Sequence, residues 1–281
     1  MSELRGRRAL VTGASAGIGH AFANHLGALG ADLVLTARRG DRLRATADLL
    51  SERHGITVDT ITADLAAPDG AGAVWAAATA SAPVDLLVNN AGFGSFRAFA
   101  TTPWSRDLEM LQLNITALVE LCHHFVSAHR ARTPRGPGHI LNVASLAAFQ
   151  AVPNFASYAA TKAYVLSLSE ALHYELADDG IVVTCLCPGG THTEFHAAAG
   201  SGNYGRLANA SMLSAEAVAE VGVRALLRGK KTVVPGLLNK LSVALGRLAP
   251  SGVRSRSAAA IMGSPRAGEL PPRHPGSGES I

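Results

Sequence analysis

A tyrosine and a lysine four residues apart, with a serine upstream, are the residues best suited to acid–base chemistry. Tyr158 and Lys162 share one face of a predicted helix, because residues four apart are neighbours on a helix surface. An ammonium group beside a phenol stabilises the phenolate and lowers the pKa of the phenol from about 10. The pair could therefore transfer protons near neutral pH, although the same spacing also fits a solvated helix face. Ser145, at a predicted strand end, could donate a hydrogen bond to a developing oxyanion.

A glycine-rich turn near the N-terminus is typical of a phosphate-binding site. The run Thr12 to Gly19 directly follows a predicted strand and opens a helix. The backbone of such a turn approaches a phosphate closely, and the helix N-terminus offers free N–H groups and the positive end of its dipole. The same glycines would also serve a tight turn that binds nothing. The residues predicted to cradle a pyrophosphate are Gly13, Ser15, Gly17, Ile18 and Gly19.

Short aliphatic runs alternate with longer helix-compatible segments, and this alternation positions both motifs. Unbroken apolar runs suit strands that are buried on both faces, and strands separated by helices form right-handed βαβ crossovers. The predicted fold class is α/β, with one doubly wound parallel sheet of seven strands and helices on both faces. Ligands of such a sheet bind beyond the carboxyl ends of its strands. Strands are predicted at 9–11, 33–35, 58–61, 86–88, 140–143, 181–186 and 232–234, and long helices at 103–130 and 154–177.

In order and spacing, these motifs resemble those of the short-chain dehydrogenase/reductase family. The family pattern is TGxxxGxG, then NNAG, an Asn in the following long helix, a Ser, and YxxxK. A later segment, Pro188 to Thr193, is similar to the family segment PGxxxT that closes on the nicotinamide. The resemblance covers about residues 5–235 and implies a single Rossmann-like domain. The matching residues are Thr12 to Gly19, Asn89 to Gly92, Asn114, Ser145, Tyr158 and Lys162.

The resemblance implies a role for each matching residue. Tyr158 would be the general acid/base, and Lys162 would bind the nicotinamide ribose and lower the pKa of Tyr158. Ser145 would polarise the carbonyl, and Asn114 would hold a water that relays protons. Asp64 would meet the adenine ring, although an Asp after a strand also suits a helix N-cap. The other implied cofactor contacts are Asn90, Ala91, Gly92, Pro188, Gly189 and Thr193, the last at the carboxamide.

The end of the second predicted strand favours NADP(H) over NAD(H). An acidic residue at this position accepts a hydrogen bond from the ribose 2′-OH, whereas a 2′-phosphate needs a cation. Ala37 stands where the acidic residue would be, and Arg38 and Arg39 follow it. Arg38 offers a planar guanidinium that matches a phosphate. The alternative is that both arginines begin a solvated loop; Ala16 also lacks the basic side chain that some NADP-dependent relatives carry in the turn.

Together, these features predict an NADP(H)-dependent oxidoreductase that interconverts a carbonyl and an alcohol, with NAD(H) as the alternative cofactor. The alternative function is a catalytically silent nucleotide-binding or peripheral membrane scaffold protein, which would tolerate loss of Tyr158, Lys162 and Ser145. Aromatic residues after the strand ends suggest an apolar, bulky small-molecule substrate, although such rings also pack cores regardless of function. They are Phe93, Phe96, Phe99, Phe149, Phe155, Phe195 and Tyr204.

Histidines and cysteines predict no metal site. His192 and His196 are four apart, but they lie in a predicted loop without three converging ligands. The cysteines form no CxxC pair and no disulfide framework, and Cys185 is interpreted as core packing. They are Cys122, Cys185 and Cys187.

The C-terminal segment differs from the rest in charge. Residues 236–281 hold six basic and two acidic residues, so the net charge of this segment is +4, which equals that of the whole chain. Residues 1–235 are therefore neutral by formal count, which argues against binding of nucleic acid, and any basic-surface function is expected in the C-terminal segment. We divide the chain into a catalytic domain at 1–235, an amphipathic extension at 236–262 and a tail at 263–281 predicted to be disordered.

A leucine stripe in the extension has two interpretations. It packs on the body or on another subunit, or it makes a weak contact with an anionic membrane surface. No run reaches the roughly 18 apolar residues of a membrane span, and the first residues lack a signal-peptide core, so we expect a cytoplasmic protein or one peripheral to the membrane. The family resemblance further implies a homodimer or homotetramer. The stripe comprises Leu237, Leu238, Leu241, Leu245 and Leu248, beside Lys240 and Arg247.

Overall fold

Seven parallel strands form a single sheet in the computed structural model, which describes residues 3–134, 136–191, 199, 212–248, 250, 252 and 258. The strands are β1 (Arg8–Thr12), β2 (Asp32–Ala37), β3 (Val58–Thr62), β4 (Leu86–Asn89), β5 (Gly138–Val143), β6 (Ile181–Leu186) and β7 (Thr232–Val233). Their order across the sheet is β3-β2-β1-β4-β5-β6-β7, and every neighbouring pair is parallel. The predicted seven-stranded, doubly wound parallel sheet is confirmed.

α-Helices connect the strands, as parallel crossovers require. The helix predicted over 103–130 changes type in the middle, because Gln112–Ala117 forms a π-helix between two α-helical parts. Among the described residues, none of the helices combines the length and hydropathy that crossing a membrane requires. The helices are α1 (Gly17–Ala28), α2 (Gly40–His54), α3 (Gly70–Thr79), α4 (Trp104–Leu111), α5 (Leu118–Arg130), α6 (Ala156–Glu175), α7 (Ala215–Leu227) and α8 (Leu237–Leu248).

The hydrophobic core lies on both faces of the sheet. Successive side chains of a strand point to opposite faces, so Ala9 and Val11 join one buried cluster, with α1 and α7, while Leu10 joins the other, with α3 and α5. All three side chains are fully buried. This two-faced burial explains why the strands are unbroken apolar runs in the sequence.

The strand order reverses between β1 and β4, and this reversal positions the site. From β1 the chain proceeds outward to β2 and β3, whereas β4 to β7 extend in the opposite direction. The loops after β1 and β4 consequently leave the sheet on opposite sides and open a crevice at its carboxyl edge. The glycine-rich turn follows β1, and the Asn89 to Gly92 motif follows β4.

Candidate active site

The glycine-rich turn is clamped between its neighbouring strands. The N–H of Gly13 donates to the carbonyl of Thr36 at 2.8 Å, and Asn90 Nδ2 donates to the carbonyl of Thr12 at 2.9 Å. Thr12 Oγ1 also accepts from the backbone N–H groups of Asn90 and Ala91, both at 2.9 Å. Asn90 and Ala91 therefore hold the turn in place through hydrogen bonds within the chain.

Two glycines of the turn have no room for a side chain. Gly13 has a φ of +68°, and a Cβ there would lie 2.9 Å from Ala91 Cα. A Cβ on Gly19 would lie only 2.2 Å from the carbonyl oxygen of Gly13. The first turn of α1 is thus packed against the end of β1, which leaves the backbone as the surface that a ligand would meet.

The N-terminus of α1 fits the pyrophosphate of a dinucleotide. Its N-cap residue is Ala16, whose methyl group cannot accept a hydrogen bond, and its first turn contains no acidic residue. The first N–H groups and the positive end of the helix dipole therefore suit an anion. Ser15 and Gly17 flank the N-cap, and Ile18 packs partly against the core below.

Lys162 is buried at the end of β5. Its side chain on α6 is 5% exposed, and Nζ donates to the carbonyl of Val143 at 2.9 Å. Burial lowers the pKa of Lys162 to about 8, an effect that the Cys185 and Cys187 thiols partly oppose. A lysine with this pKa changes its protonation state close to physiological pH.

The Tyr158 ring is held beside Lys162 by stacking. Lys162 Nζ lies 5.7 Å from the ring centroid, and the ring of Phe155 stacks on that of Tyr158 with centroids 4.2 Å apart. Gly94 packs against both rings, since a Cβ there would lie 2.6 Å from Phe155 Cζ and 3.0 Å from Tyr158 Cδ2. The roles of Phe155 and Gly94 in positioning Tyr158 were not predicted.

Asn114 joins the β4 loop to the helix that carries Tyr158 and Lys162. It lies within the π-helical segment, a type of helix that often marks functional sites. Its Oδ1 accepts from the N–H of Phe93 at 3.1 Å, and its Nδ2 donates to the Phe93 carbonyl at 2.9 Å and to Thr161 Oγ1 at 3.1 Å. A Cβ on Gly92 would lie 2.9 Å from Asn114 Oδ1 and 3.4 Å from Lys162 Nζ. The structure therefore brings Gly92, Asn114 and Lys162 together.

Ser145 follows β5 and is tied to the loop after β6. Its Oγ accepts from the N–H of Ala147 at 3.1 Å, which starts a 3-10 helix at Leu146–Phe149. The N–H of Leu146 donates to the carbonyl of Pro188 at 2.8 Å, so Pro188 and Gly189 lie near Ser145. Thr193, the predicted carboxamide contact, lies outside the described residues.

Asn239 is a residue near this loop that was not predicted. It lies on α8, is 3% exposed, and would contact a Cβ on Gly189 at 2.7 Å through its Nδ2. Helix α8 thus packs against the Pro188–Gly189 loop, although the family resemblance ended near residue 235. An uncharged polar side chain on the side of this amphipathic helix away from its leucines is the sequence feature that could have indicated this contact.

The two arginines after β2 point in different directions. Arg38 Nη1 lies 3.3 Å from Glu109 Oε1, whereas Arg39 Nε and Nη2 each lie 3.2 Å from Ser15 Oγ. Arg39 therefore contacts the glycine-rich turn directly, and Arg38 is paired with α4. The prediction named Arg38 and treated Arg39 only as its neighbour.

Asp64 is exposed after β3 and caps a local turn. Its Oδ1 accepts from the N–H of Ala66 at 3.0 Å. The alternative interpretation, a helix N-cap, is wrong, because α3 begins at Gly70 with Asp69 at its N-cap position. Asp64 remains at the carboxyl edge of the sheet, where an adenine contact was predicted.

The predicted aromatic cluster separates into three groups. Phe93, Phe96 and Phe155 pack with Tyr158 in a small hydrophobic cluster, in which the Phe96 and Phe155 rings lie 5.8 Å apart. Phe99 is 72% exposed, and Phe149 packs against the core instead. Phe195 and Tyr204 lie outside the described residues, as do His192 and His196.

The cysteines are buried, and two of them, Cys185 and Cys187, lie close enough to Lys162 to affect its pKa. All three cysteines are free and buried, and Cys185 is part of the core, as predicted. The described part of the chain contains no group of three or more His, Cys, Asp or Glu side chains that could hold a metal ion.

The chain is similar to known short-chain dehydrogenases in both sequence and structure. The profile of the family described as short chain dehydrogenase matches residues 7–204. A putative ketoacyl reductase for granaticin polyketide synthesis in Streptomyces violaceoruber is 38% identical over 186 residues, which are 66% of this chain and 68% of that protein. The 7beta-hydroxysteroid dehydrogenase of Collinsella aerofaciens is 28% identical over 193 residues, 69% and 72% of the two chains. A short-chain dehydrogenase from Sphingobium yanoikuyae, solved with NADPH, aligns at a TM-score of 0.77 with 29% identity, covering 93% of this chain and 98% of its own.

Proposed function

Because this chain belongs to the short-chain dehydrogenase family of oxidoreductases, we propose that it interconverts a carbonyl and an alcohol with NADP(H). The observation that carries the proposal is the buried Lys162 ammonium beside the Tyr158 ring. A scaffold protein would have no use for a desolvated lysine, whereas an acid–base catalyst does. Asn114 and Gly92, which meet at Lys162, support the same assignment.

The chain's own residues would handle the proton and the oxygen of the substrate. The cofactor, when bound, supplies or accepts the hydride. In the reductive direction Tyr158 Oη donates its proton to the carbonyl oxygen, and the Lys162 ammonium stabilises the phenolate that remains. Ser145 Oγ accepts from Ala147, so its own hydrogen is available for the same carbonyl oxygen. Asn114 positions the β4 loop and would hold the relay water.

The cofactor would lie across the crevice between the β1 and β4 loops. The turn from Gly13 to Gly19 and the N-terminus of α1 suit its pyrophosphate, and Lys162 has donors for ribose hydroxyls. We propose NADP(H) over NAD(H) because Ala37 lacks a carboxylate and Arg39 contacts the turn at Ser15. The NADPH-bound relative from Sphingobium yanoikuyae supports this choice. The other proposed contacts are Arg38, Asp64, Asn90, Ala91, Gly92, Pro188, Gly189 and Thr193.

The substrate is proposed to be apolar and bulky. Phe93 and Phe96 pack in the same cluster as Tyr158, so apolar surface adjoins the proposed proton donor. A polyketide ketoacyl reductase and a hydroxysteroid dehydrogenase among the relatives support such a substrate. Arg106 lies 4.0 Å above the Phe93 ring, which places a cation at the edge of this cluster.

A homodimer or homotetramer is proposed as the assembly. Large aromatic side chains are exposed on two of the long helices, with Trp104 on α4 at 68% and Tyr174 on α6 at 67%. Exposed aromatic residues of this size are typical of interfaces. The catalytic unit would comprise residues 1–235, followed by the extension at 236–262 and the tail at 263–281.

Replacing the Tyr158 hydroxyl tests the function. Tyr158→Phe should lower kcat by at least about 100-fold, because the proton donor is lost, while NADPH binding changes little. The measurement is NADPH absorbance during reduction of a panel of bulky ketones, with NADPH affinity determined by fluorescence titration. Tyr164→Phe, on the same helix and 43% exposed, is the matched control and should keep wild-type activity. A Tyr158→Phe enzyme with near-wild-type kcat on a true substrate would overturn the mechanism.

A further inference from the structure

Helix α8 is held to the body along one face by Asn239. This side chain is buried, its Nδ2 donates to the carbonyl of Pro235 at 2.9 Å, and it packs against Gly189. Val243, which is partly buried, also lines a cavity shared with α7 and β7. The orientation of α8 about its own axis is therefore determined by these contacts.

The opposite face of α8 carries leucines that the described part of the chain leaves exposed. A helix turns about 100° per residue, so Leu241 lies about 160° from Asn239 around the axis. The interpretation that the stripe packs on the body of its own chain therefore does not hold for the four leucines whose side chains the structure describes. The exposed fractions of the four described leucines are 74% for Leu237, 57% for Leu238, 50% for Leu241 and 67% for Leu245.

Beside the leucines lies a basic groove of about 770 Å³ between α7, β7 and α8. Among the described residues that line it, one is acidic: Glu170, which accepts a hydrogen bond from Thr232 at 2.7 Å. Two of the cations are engaged, Arg224 with Glu220 and Lys231 with Tyr174. The other three have no ion-pair partner within the described part of the chain. The cations that line the groove are Arg224, Arg228, Lys230, Lys231 and Lys240.

We propose that the leucine face of α8 and the basic groove together bind the surface of an anionic membrane. Lys240 lies on the helix face between the groove and the leucines, so both features can meet one surface. Exposed leucines flanked by cations suit the boundary between acyl chains and anionic headgroups. This contact is independent of the proposed catalytic function, since it uses none of the residues assigned to the reaction.

A second copy of the chain fits this surface less well. In a twofold symmetric contact the same patch meets itself, so the groove cations of one copy would approach those of the other. Like charges brought together without counter-charges are destabilising. An anionic lipid surface instead neutralises the cations while it covers the leucines.

Vesicle co-sedimentation of the full chain tests the proposal. Wild type should bind phosphatidylcholine vesicles that contain phosphatidylglycerol, and should bind pure phosphatidylcholine vesicles at least about tenfold more weakly. Each of two variants should bind the anionic vesicles at least about tenfold more weakly than wild type does. The leucine variant is Leu241→Ser with Leu245→Ser, and the charge variant is Arg228→Gln with Lys230→Gln and Lys240→Gln.

A control variant places changes of the same two kinds on another exposed helix. Leu49→Ser with Arg42→Gln and Arg53→Gln, on α2, should bind vesicles as wild type does. NADPH affinity should be unchanged in every variant, which verifies that each is folded. The proposal is overturned if wild type does not bind anionic vesicles, or if the leucine variant binds them equally. It is also overturned if the leucine variant only changes the oligomeric state in sedimentation velocity, since the stripe would then cover a second copy.

Discussion

Lys162 is a residue whose burial is costly for folding and for which we propose a catalytic role. Amines are rarely buried without a counter-charge, yet Lys162 is almost fully buried and donates to the Val143 carbonyl. An ammonium has three N–H donors, so two remain for groups that enter the crevice. Desolvation of this charge is the main cause of the lowered pKa of Lys162. Such a cost is retained where the group has a function.

Replacing Lys162 by Met should stabilise the free protein at neutral pH while it abolishes turnover. The folded pKa is about 8 and the ordinary value is 10.5, so between these values the unfolded chain binds more protons than the folded one. Wild-type stability therefore rises with pH through this window relative to the variant, which lacks the group. Below pH 8 the amine is charged in the folded protein, so the full cost of desolvating it opposes folding. The hydrogen bond to the Val143 carbonyl, which the variant loses, offsets part of this cost.

Thermal denaturation of both proteins between pH 7 and pH 10.5 measures the effect. The excess Tm of Lys162→Met should be largest near pH 7 and should shrink as the pH rises from about 8. Lys240→Met, at an exposed position, is the control and should show no such trend. A variant less stable than wild type at pH 7, or a difference independent of pH, would contradict this account of the buried amine.

We propose that the arginines after β2 select the cofactor. Wild type should have the higher kcat/KM with NADPH, and Ala37→Asp with Arg38→Ala should shift the preference toward NADH by at least about tenfold, because a carboxylate repels the 2′-phosphate. Arg39→Ala alone should lower kcat/KM for NADPH more than for NADH, since Arg39 contacts Ser15 in the turn.

These rates are measured with one substrate and both cofactors. Arg53→Ala, on the exposed end of α2, is the control for removal of a cation. A wild type that prefers NADH, or an unchanged preference in the double variant, would refute the assignment to NADP(H).

Among the secondary-structure elements, the strands and the glycine turn could be predicted because their causes are local. Apolar runs between turns define strands that are buried on both faces, and a glycine turn followed by a helix needs no distant partner. The π-helical segment around Asn114 could not be predicted, since a change from i→i+4 to i→i+5 bonding leaves no mark on apolar periodicity. Arg38 and Arg39 could not be distinguished, because their directions depend on Glu109 and Ser15, 71 and 24 residues away.

Gly19→Ala should disable the turn that opens α1. The added Cβ would lie 2.2 Å from the carbonyl oxygen of Gly13, a backbone atom that cannot move alone. We expect a loss of stability of about 1–3 kcal/mol and at least a tenfold weaker affinity for NADPH, since the displaced backbone is the proposed pyrophosphate site. Urea unfolding and fluorescence titration measure the two effects.

Gly72→Ala is the matched control for this substitution. Gly72 lies within α3, and a Cβ there would lie 3.2 Å from Oε1 at the flexible end of Glu120 and 3.8 Å from His124 Nε2, an ordinary contact. Because Ala favours a helix over Gly, this variant should be as stable as wild type or more stable by up to about 1 kcal/mol. Wild-type NADPH affinity in Gly19→Ala would show that the turn does not bind the cofactor.

At the scale of the whole molecule, the distribution of charge differs from the one that counting predicted. Formal charge predicts any basic surface in residues after 235, yet of the groove cations that the structure describes, one comes from that segment, Lys240. Arg224, Arg228 and Lys230 belong to a part of the chain that is neutral on average. A net count cannot show which charges folding places side by side. Here the residues after 235 supply the exposed leucines, and earlier residues supply most of the described groove cations.

The hydrogen bonds between Thr12 and the β4 loop make the crevice depend on the docking of two halves of the chain. Asn90 and Thr12 are 78 residues apart in sequence, so the crevice exists only after β1 and β4 have become neighbours. On the proposed function, a dinucleotide binds this assembled state and not its precursors, and saturation at 100 times Kd would add about 2.7 kcal/mol to stability. Transient opening would fall by about 100-fold, and with it exposure to proteases. The supply of NADP(H) would thereby set the lifetime of the chain in the cell as well as its rate of turnover.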